Sequence, residues 1–439
     1  MERFFTIFWL LLIPTQLGRH FWLPESSVFG ARIDYLSIIL YLTDIVWFLW
    51  IINKLRIKPP ASGTRADTWV RPYKKIFTFQ NLILLLFVAV NVVMAEAKWV
   101  AMYRWLRLFQ WIITIYLVRV DKNKIKNYLM KIIPIWIIGE SFLGLLQVMN
   151  GGSLNGIWWW LGERSFVYGG IGIAQMNWLG DNWIRAYGTF SHPNSLAGFL
   201  LLGWWFWRKL RITNYELRIK DKKQIFKKVF YWIVNWSAVL GILVAGSRTV
   251  WLLTAILLII DQLRITNYEL RIKNQKIRRQ LIGKLLMGAG VICLFLGIIS
   301  VNYRMSDFIG GWDVNSFQKR EMLMGAAVKM IKSSPLFGVG AGNFVKELPK
   351  FQSGSWYWLQ PVHNIFLLLW SEIGLLGIIL LITNYELRIT NEKKIDFMNL
   401  IWKKYWWIWV IVGVTGLVDH YWVTLPQNSW LLAVILGVI

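Results

Sequence analysis

The residues best suited to chemistry are a histidine and a set of arginines, all beside apolar runs. His363 follows Pro361 and opens an apolar run. A histidine side chain ordinarily has a pKa of about 6.5, which suits a general base. Arg185 and Arg248 lie in short turn-forming stretches next to other apolar runs. Guanidinium groups bind phosphate oxygens through two parallel hydrogen bonds and stabilise charge that develops on them. A base and fixed cations together suit a reaction in which a proton is removed while negative charge develops.

These residues belong to four short stretches of sequence. Two of the stretches can also be explained by local structure alone, without any role in catalysis. Residues 185–198 join polar residues to a predicted helix, and Pro193 suits the first helical turn because its missing N–H costs nothing there. Taken alone, this stretch fits an ordinary loop-to-helix junction equally well. The glycines of residues 334–344 favour a tight turn after Pro335 over a phosphate-binding backbone. The other two stretches are 245–249 and 363–377.

In this order and spacing, the four stretches resemble the O-antigen ligase / O-antigen polymerase superfamily of bacterial membrane glycosyltransferases. The resemblance covers roughly residues 180–380. It implies an all-α, polytopic protein of the bacterial cytoplasmic (inner) membrane, with an active site that faces outward. Three parts are expected: membrane helices and a first outer loop in residues 1–194, a catalytic core in 195–382, and further membrane helices in 383–439.

The same resemblance implies a transfer reaction and assigns residues to it. The donor would be a glycan linked to a polyprenyl diphosphate of the undecaprenyl type, and the acceptor a hydroxyl group of a lipid, a glycan or a protein. His363 would be the catalytic base, whereas Arg185, Arg248 and Arg320 would bind the donor diphosphate. The reaction would be inverting and would need neither a metal ion nor another cofactor. The supporting residues would be His192, Asn194, Asn364, Glu372, Gly338 and Gly340.

The composition also indicates a membrane protein. The 439 residues are 56% hydrophobic and 16% charged, and the mean hydropathy of +0.46 is higher than a soluble fold requires. A formal charge of +26 would suit nucleic acid, but 34 of the 49 basic residues fall in alternate loops between apolar runs. This pattern is typical of cytoplasmic loops, so we expect membrane lipids and no nucleic acid as partners. The single cysteine, Cys293, excludes a disulfide framework and a thiolate metal site.

The apolar runs predict about twelve transmembrane helices, most of them long enough to cross a hydrocarbon core of roughly 30 Å. Their basic connections, and both chain ends, are expected on the cytoplasmic side. These connections are 53–75, 119–131, 208–228, 261–284 and 383–404. The predicted spans lie near 4–17, 35–52, 76–94, 99–118, 132–149, 195–207, 229–245, 249–260, 281–300, 362–382, 405–422 and 424–439.

Two long loops, 150–194 and 301–361, remain on the outer side, where they would cover the entrance for a lipid-linked substrate. The tryptophans at 158–160 are explained by anchoring at the membrane interface, with sugar stacking as the alternative. In the second loop, residues 317–331 predict a helix that lies along the membrane surface. Its apolar stripe would consist of Phe317, Met324, Ala327, Val328 and Ile331.

One sequence of eight residues, Ile-Thr-Asn-Tyr-Glu-Leu-Arg-Ile, occurs three times, at 212–219, 265–272 and 382–389. The copies are unevenly spaced, so they do not form a solenoid repeat. All three fall on the cytoplasmic side of the predicted topology. We interpret them as tolerated insertions in polar loops, with docking of a cytosolic partner as the alternative.

Other functions stay open on the sequence alone. A polysaccharide polymerase or a protein O-oligosaccharyltransferase would use the same donor with a different acceptor. A transporter or flippase for lipid-linked glycans is the alternative from another class, but such proteins usually show symmetry between two halves, and this sequence does not. The chain contains no Asp-X-Asp pair, which disfavours the metal-dependent mechanism of other glycosyltransferases.

Overall fold

The computed structural model describes residues 1–56, 79–170, 172–178, 181–215, 224–269, 314–352, 358–389 and 394–439. This part of the chain is mostly helical. Its helices are α1 (Glu2–Leu11), α2 (Leu42–Arg56), α3 (Phe79–Met94), α4 (Lys98–Val120), α5 (Lys122–Asn150), α6 (Ile157–Trp160), α7 (Pro193–Tyr215), α8 (Gln224–Ala245), α9 (Arg248–Glu269), α10 (Val314–Ser333), α11 (Phe344–Phe351), α12 (Ile365–Ile389), α13 (Lys394–Gly416), α14 (Tyr421–Thr424) and α15 (Pro426–Val438).

Eleven of the twelve predicted spans overlap helices of the described chain, and the twelfth, at 281–300, lies outside the described residues. The helical class is therefore confirmed, but the number of transmembrane helices is not. Two of the described helices, Lys122–Asn150 and Ile365–Thr383, are long and apolar enough to cross a membrane. Shorter apolar helices cover Gln80–Met94, Val229–Ala245 and Tyr405–Gly416.

In the described residues, three antiparallel two-stranded sheets add to the all-α prediction. They pair β1 (Gly18–Phe21) with β4 (Ile38–Tyr41), β2 (Ser27–Val28) with β3 (Ala31–Arg32), and β5 (Gln175–Trp178) with β6 (Asp181–Ile184). The sequence predicts a helix over 35–52, but its first residues form β4 because a short apolar run rich in isoleucine fits a strand as well as a helix. The helix predicted over 4–17 ends at Leu11, three residues before Pro14.

The main core lies between the helices of both halves and is filled largely by tryptophan. The indoles of Trp9 and Trp50 stack 4.9 Å apart, and Trp430 meets Trp9 edge to face. Trp204, Trp205 and Trp207 of α7 are all buried. Such rings bury a large apolar area with few rotatable bonds. They hold α7 rigidly in the centre of the bundle.

Helix α12 is broken at Gly374, and the glycine-rich loop fills the break. Gly374 has a φ of 64°, and a Cβ atom there would lie 2.2 Å from the carbonyl oxygen of Leu336. The carbonyl groups left open by the break accept hydrogen bonds from the amides of Val339 and Gly340, at 2.8 and 2.9 Å. The loop therefore supplies backbone partners to a broken helix.

A set of buried polar side chains, called here the buried hub, joins this loop to α3 and α4. The hub consists of Asn91, Asn343 and Glu372. Asn91 donates to the carbonyl oxygen of Glu372 at 3.1 Å, and Asn343 accepts from the amide of Ala97 at 2.7 Å. The Glu372 carboxylate accepts from the Tyr35 hydroxyl at 2.7 Å and from a backbone amide.

The two long loops predicted on the outer side contain regular structure. Residues 150–194 include the short helix α6 and the β5–β6 hairpin. The helix predicted over 317–331 is present within α10, and the residues that it buries in the protein are mostly others than those of the stripe predicted for the membrane surface. Of the predicted stripe, Ala327 is buried, whereas Met324 and Val328 are exposed. The buried stripe has helical spacing and consists of Leu323, Ala326, Ala327 and Met330.

The described parts of the three repeat copies are all helical. Residues 212–215 end α7, residues 265–269 end α9, and residues 382–389 end α12. The remaining residues of the first two copies lie outside the described chain. The described part of each copy thus continues the helix that precedes it, whereas the sequence predicts a polar loop there.

Candidate active site

His363 is placed by the cap of α12. Asn364, the next residue, accepts hydrogen bonds from the amides of Phe366 and Leu367 at 2.9 and 3.0 Å, which is the usual role of an asparagine at a helix start. Its side-chain nitrogen donates to the carbonyl oxygen of Leu417 at 3.2 Å. Asn364 therefore fixes His363 against the segment that follows α13.

That segment carries two further polar residues, Asp419 and His420. Asp419 Oδ1 lies 3.9 Å from Nδ1 of His363, and it accepts a 2.8 Å hydrogen bond from the backbone amide of His420. The rings of His363 and His420 stack with their centres 5.3 Å apart. Nδ1 of His363 is buried and has no hydrogen-bond partner among the described residues. A buried ring nitrogen beside a carboxylate is well placed to take up a proton.

Arg185 reaches the same carboxylate through one intermediate side chain. Its Nη2 donates to Asn194 Oδ1 at 2.6 Å, and the side-chain nitrogen Nδ2 of Asn194 donates to Asp419 Oδ2 at 2.9 Å. The guanidinium Nε also donates to the carbonyl oxygen of Ala245 at 2.8 Å. A chain of hydrogen bonds thus runs from the guanidinium to the histidine–aspartate pair. We call His363, Asp419, His420, Asn194 and Arg185 the histidine–aspartate cluster.

The turn between α8 and α9 has to be tight for this contact. Gly246 has a φ of 64°, and a Cβ atom there would meet Nε of Arg185 at 3.0 Å. Glycine adopts such a backbone conformation without strain. Arg248 is the first residue of α9 and is exposed. The glycine therefore lets Arg185 pack on the turn from which Arg248 projects.

Of the three arginines predicted to bind a diphosphate, Arg248 and Arg320 act electrostatically on Arg185. Burial lowers the pKa of Arg185 to about 10, and the charges of Arg248 and Arg320 contribute to this decrease. Arg320, on α10, also acts on His192. The structure therefore brings Arg185, Arg248 and Arg320 into one neighbourhood, although they come from segments far apart in sequence. Like charges gathered in this way favour binding of an anion.

Two histidines of the neighbourhood are held in the neutral form. Burial lowers the pKa of His192 to about 4 and that of His420 to about 3, although Asp419 opposes the change in both cases. Nδ1 of His192 accepts a hydrogen bond from the backbone amide of Asn194 at 3.2 Å. His192 also caps α7, since its carbonyl oxygen accepts from Ser195 and Leu196. Its position is thus explained by the start of that helix.

Asp419 is held in the ionised form. Burial opposes ionisation, but its polar neighbours, His363 first, outweigh burial and keep the pKa of Asp419 below its usual range. A buried carboxylate next to an imidazole stabilises the imidazolium that forms when the ring takes a proton. Asp419 therefore has the position and the charge of a residue that orients and supports His363.

Among the described residues, three side chains of the cluster could hold a metal ion. The donor atoms of His363, Asp419 and His420 lie within 4.8 Å of one another. Two ligand atoms that bind one metal ion through bonds of about 2.1 Å lie at most about 4.2 Å apart. The donor atoms that are furthest apart here would therefore have to move closer together. Nδ1 of His420 is also in contact with the hydroxyl of Thr424, at 2.7 Å. The chemistry of the donors fits a metal, whereas their spacing is wide for one.

Three residues predicted to support the site lie elsewhere. Glu372 belongs to the buried hub, nine residues beyond His363 on α12. A Cβ atom on Gly338 would lie 2.4 Å from the backbone of Glu372, and Gly340 donates to the Glu372 carbonyl oxygen. Both glycines thus fit closely against the broken helix. Their φ values of 70° and 108° require the left-handed region that glycine favours.

Two residues of the cluster were not assigned to a site by the sequence. Neither Asp419 nor His420 is among the residues that the sequence assigns to the site. One signal was available, because Asp419 and His420 are adjacent polar residues at the end of the apolar run 405–422. Ionisable residues at membrane depth are costly and often functional.

A family model described as O-antigen ligase matches residues 233–382. The match includes Arg248, Arg320 and His363, whereas Arg185 and Asp419 lie outside it. Residues 233–382 are thus similar to an O-antigen ligase domain, which supports a place for the chain in the O-antigen ligase-like superfamily. Comparison with curated proteins gave no match, and comparison with solved structures gave none.

The match supports a general class for the protein. The members of the family are membrane proteins, and the two long apolar helices agree with this. The family also implies an enzyme of the glycosyltransferase kind, with a lipid-linked glycan and an acceptor as its substrates in general terms.

Proposed function

We propose that this protein transfers a glycan from a polyprenyl-diphosphate-linked donor to a hydroxyl acceptor, at the outer face of the bacterial cytoplasmic membrane. The observation that carries the proposal is the meeting of Arg185 with the His363–Asp419 pair through Asn194. Such a site combines a base, a carboxylate that supports it, and cations for an anionic leaving group. A ligase-like transfer needs all three.

In the proposed step, the acceptor oxygen attacks the anomeric carbon of the donor sugar while His363 takes the hydroxyl proton. The new bond joins that oxygen to the anomeric carbon, and the bond between this carbon and the diphosphate oxygen breaks. The electron pair leaves with the polyprenyl diphosphate. Because attack and departure occur on opposite faces in one displacement, the product has inverted configuration.

The arginines stabilise the charge that the leaving group gains. Arg185 is fixed by Ala245 and Asn194, so its guanidinium does not have to reorganise as the bond breaks. Arg248 and Arg320 add positive charge nearby. Fixed guanidinium groups take the role that a divalent ion has in metal-dependent enzymes, and we therefore propose a metal-independent reaction.

The outward orientation follows from the distribution of basic residues. The cluster lies at the ends of helices whose other ends lead to the basic connections. For example, α7 begins at Pro193, beside the cluster, and ends within the basic stretch 208–228. Basic connections are retained on the cytoplasmic side. The cluster then faces the opposite compartment, where a translocated lipid-linked glycan is available.

The proposal is tested with purified protein in liposomes that contain a radiolabelled undecaprenyl-diphosphate disaccharide. Three hydroxyl acceptors are supplied separately: a glycolipid, the same glycan without lipid, and a peptide rich in serine and threonine. We expect a new glycosidic product with at least one acceptor, of inverted configuration by NMR. EDTA should leave the rate unchanged.

Two results would contradict the proposal. Movement of the labelled lipid across the bilayer without any product bond would instead indicate a transporter. Inactivation by EDTA that Mg²⁺, Mn²⁺ or Zn²⁺ reverses would show that the His363–Asp419–His420 group works through a metal ion.

A further inference from the structure

A turn of four residues lies between Arg185 and the start of α7. Residues 186–189 are called here the arginine turn, and all four are buried. Arg185 and Asn194, whose side chains meet at 2.6 Å, stand on either side of it. The four backbone amides of the turn donate to groups of α5 and α8, not to one another. The shape of the turn is therefore imposed by the helices around it.

Helix α5 supplies the two side chains that hold the turn. Gln147 Oε1 accepts hydrogen bonds from the amides of Tyr187 and Gly188, at 3.0 and 2.8 Å. Glu140 Oε2 accepts from the amide of Thr189 at 2.9 Å. The two side chains are seven residues apart, which is about two helical turns, so they lie on the same face of α5.

Glu140 fits against the turn at the one residue that has no side chain. Gly188 has a φ of 58°, a conformation that glycine adopts without strain. A Cβ atom on Gly188 would lie 2.3 Å from Glu140 Oε2. The carboxyl group thus occupies the space that any other side chain would fill. The position of Glu140 and the shape of the turn are therefore closely coupled.

The hydrogen bonds of Thr189 show where a proton is held. Its hydroxyl oxygen lies 2.7 Å from the carbonyl oxygen of Pro14 and 2.8 Å from Glu140 Oε1. Both distances are those of a hydrogen bond, but a hydroxyl group carries one hydrogen. The carbonyl oxygen can only accept, so the hydroxyl donates to Pro14. The hydrogen of the other bond then comes from the carboxyl group of Glu140.

The surroundings of Glu140 also favour the neutral acid. The residue is 6% exposed, and no ion pair in the described part of the chain includes it. Burying a carboxylate without a cation costs far more than burying a protonated carboxyl group, and such a group usually takes up a proton instead. Burial and the hydrogen bonds thus agree on the position of the proton.

We propose that Glu140 is a protonated, uncharged carboxylic acid and that it positions Arg185 for the donor diphosphate by holding the arginine turn. Glu140 acts through the turn, so it is a positioning residue. A neutral acid holds the turn without adding a negative charge that would oppose an anionic donor. This inference rests on the proposed function, because it takes the diphosphate as the group that Arg185 binds.

The protonation state is tested by infrared spectroscopy of the purified protein at neutral pH, in a detergent without ester groups. The spectrum of Glu140→Gln is subtracted from that of the wild type. We expect the carbonyl stretch of a protonated carboxyl group in the difference spectrum. A carboxylate band in its place would show that Glu140 is ionised and would overturn the inference.

The positioning role is tested by equilibrium binding of farnesyl diphosphate, with farnesol as the probe that has the same tail and no phosphate. Glu140→Ala should weaken binding of farnesyl diphosphate about 10-fold, the scale for one misplaced charge-assisted hydrogen bond, and leave that of farnesol unchanged. Glu140→Gln should bind within about twofold of the wild type, because its amide can donate to the Thr189 hydroxyl and accept from the Thr189 amide. An equal loss in both variants would overturn the inference.

A double-variant cycle separates positioning from a general structural effect. If Glu140 acts through Arg185, Glu140→Ala should cause no further loss of farnesyl diphosphate binding in an Arg185→Ala background. A merely structural contribution would weaken binding about 10-fold in both backgrounds, and this result would overturn the inference.

Two further variants complete the test. Ser141→Ala changes the next residue of α5, which is buried and whose hydroxyl has no partner among the described residues, so binding should stay unchanged. Thr189→Val keeps the volume and the backbone amide but removes the hydroxyl. It should weaken farnesyl diphosphate binding about 5-fold, and it serves where Glu140→Ala does not fold. Unchanged binding in Thr189→Val would overturn the inference.

None of these measurements depends on glycosyl transfer. Coupled binding without any transfer product would contradict the proposed function alone. Transfer that depends on Arg185 but not on Glu140 would contradict only this inference.

Discussion

The histidine–aspartate cluster and the buried hub are joined by one helix, and their comparison separates chemistry from support. Helix α12 follows His363 directly and carries Glu372 roughly 13 Å further along the axis. Both regions gather polar residues from distant segments. In the hub, the described side-chain atoms of Asn91, Asn343 and Glu372 have partners, whereas in the cluster a buried nitrogen of His363 has none.

The difference shows how a polar motif can be interpreted. A buried polar group without a partner costs about 1–3 kcal/mol, so a fold retains it where it does something else. The hub is saturated by its own protein and stabilises the broken helix. The cluster keeps one buried nitrogen without a partner among the described residues, and Arg248 and Arg320 act on its arginine. Residues of both the hub and the cluster belong to the stretches that resemble the family, but only the cluster has the chemistry of a reaction site.

Arg185, the arginine of the cluster, should show the largest effect on activity among the residues other than the base His363. Arg185→Ala should reduce kcat/KM for the donor by about 10²–10³-fold, the scale for one group that stabilises developing negative charge. Arg185→Lys should recover only part, because an ammonium restores the charge but not the two directed hydrogen bonds. Arg32→Ala removes an exposed cation from β3 and serves as the control in the same transfer assay. Equal activities of the wild type and Arg185→Ala would remove the arginine from the mechanism.

Asp419 should have a smaller effect that is confined to turnover. Asp419→Asn should lower kcat by about 10–100-fold, which corresponds to roughly 1.4–2.8 kcal/mol in the barrier. The physical reason is the loss of the negative charge that supports protonated His363. Donor binding, measured by equilibrium dialysis, should change little, and Asp419→Glu should recover part of the turnover. Loss of donor binding in step with turnover would instead indicate a purely structural residue.

A substitution next to the buried hub should lower the stability of the protein and leave its turnover unchanged. Gly338→Ala should lower the free energy of unfolding by more than about 1 kcal/mol, because its φ of 70° is strained for alanine and the new Cβ would meet the Glu372 backbone. Thermal unfolding followed by fluorescence-detected size exclusion measures this. Gly325→Ala on α10 is the control, because a Cβ atom there would have no neighbour within 4 Å. A variant Gly338→Ala that keeps its thermal midpoint but loses turnover would move the glycine loop into the active site.

The smallest effect concerns pH. The folded protein keeps the pKa of His192 at about 4 and that of His420 at about 3, below the ordinary value near 6.5 of an unfolded chain. Below about pH 6.5 the unfolded chain therefore binds protons that the folded protein does not, so stability decreases as the pH falls towards 4. Each histidine contributes at most about 1.4 kcal/mol per pH unit. The thermal midpoint should fall over this range, and less steeply in His420→Asn. Identical slopes for both proteins would contradict the neutral form of His420.

The sequence predicts the helices well because long apolar runs allow few other structures. It does less well where runs are short: Ile38–Tyr41 form a strand that pairs with Gly18–Phe21, a contact that no local pattern determines. The site is partly predictable because Arg185, Arg248 and His363 belong to recognisable stretches. Asp419 lies 56 residues beyond His363, and it is brought there by local contacts, of Asn364 with Leu417 and of Ile365 with Gly416. Conversely, Glu372 shares the stretch 363–377 with His363, and Gly338 belongs to the stretch 334–344, but both residues serve the broken helix.

The most direct test compares one variant from each region in the reconstituted transfer assay, with turnover expressed per folded molecule. His363→Ala should reduce turnover by about 10²–10⁴-fold, the usual loss for a general base, with the thermal midpoint and donor binding nearly unchanged. Asn343→Ala in the hub should lower the thermal midpoint but leave turnover within about threefold of the wild type, because it removes only internal hydrogen bonds. Full turnover by His363→Ala would contradict the assignment of the cluster as the site of glycosyl transfer.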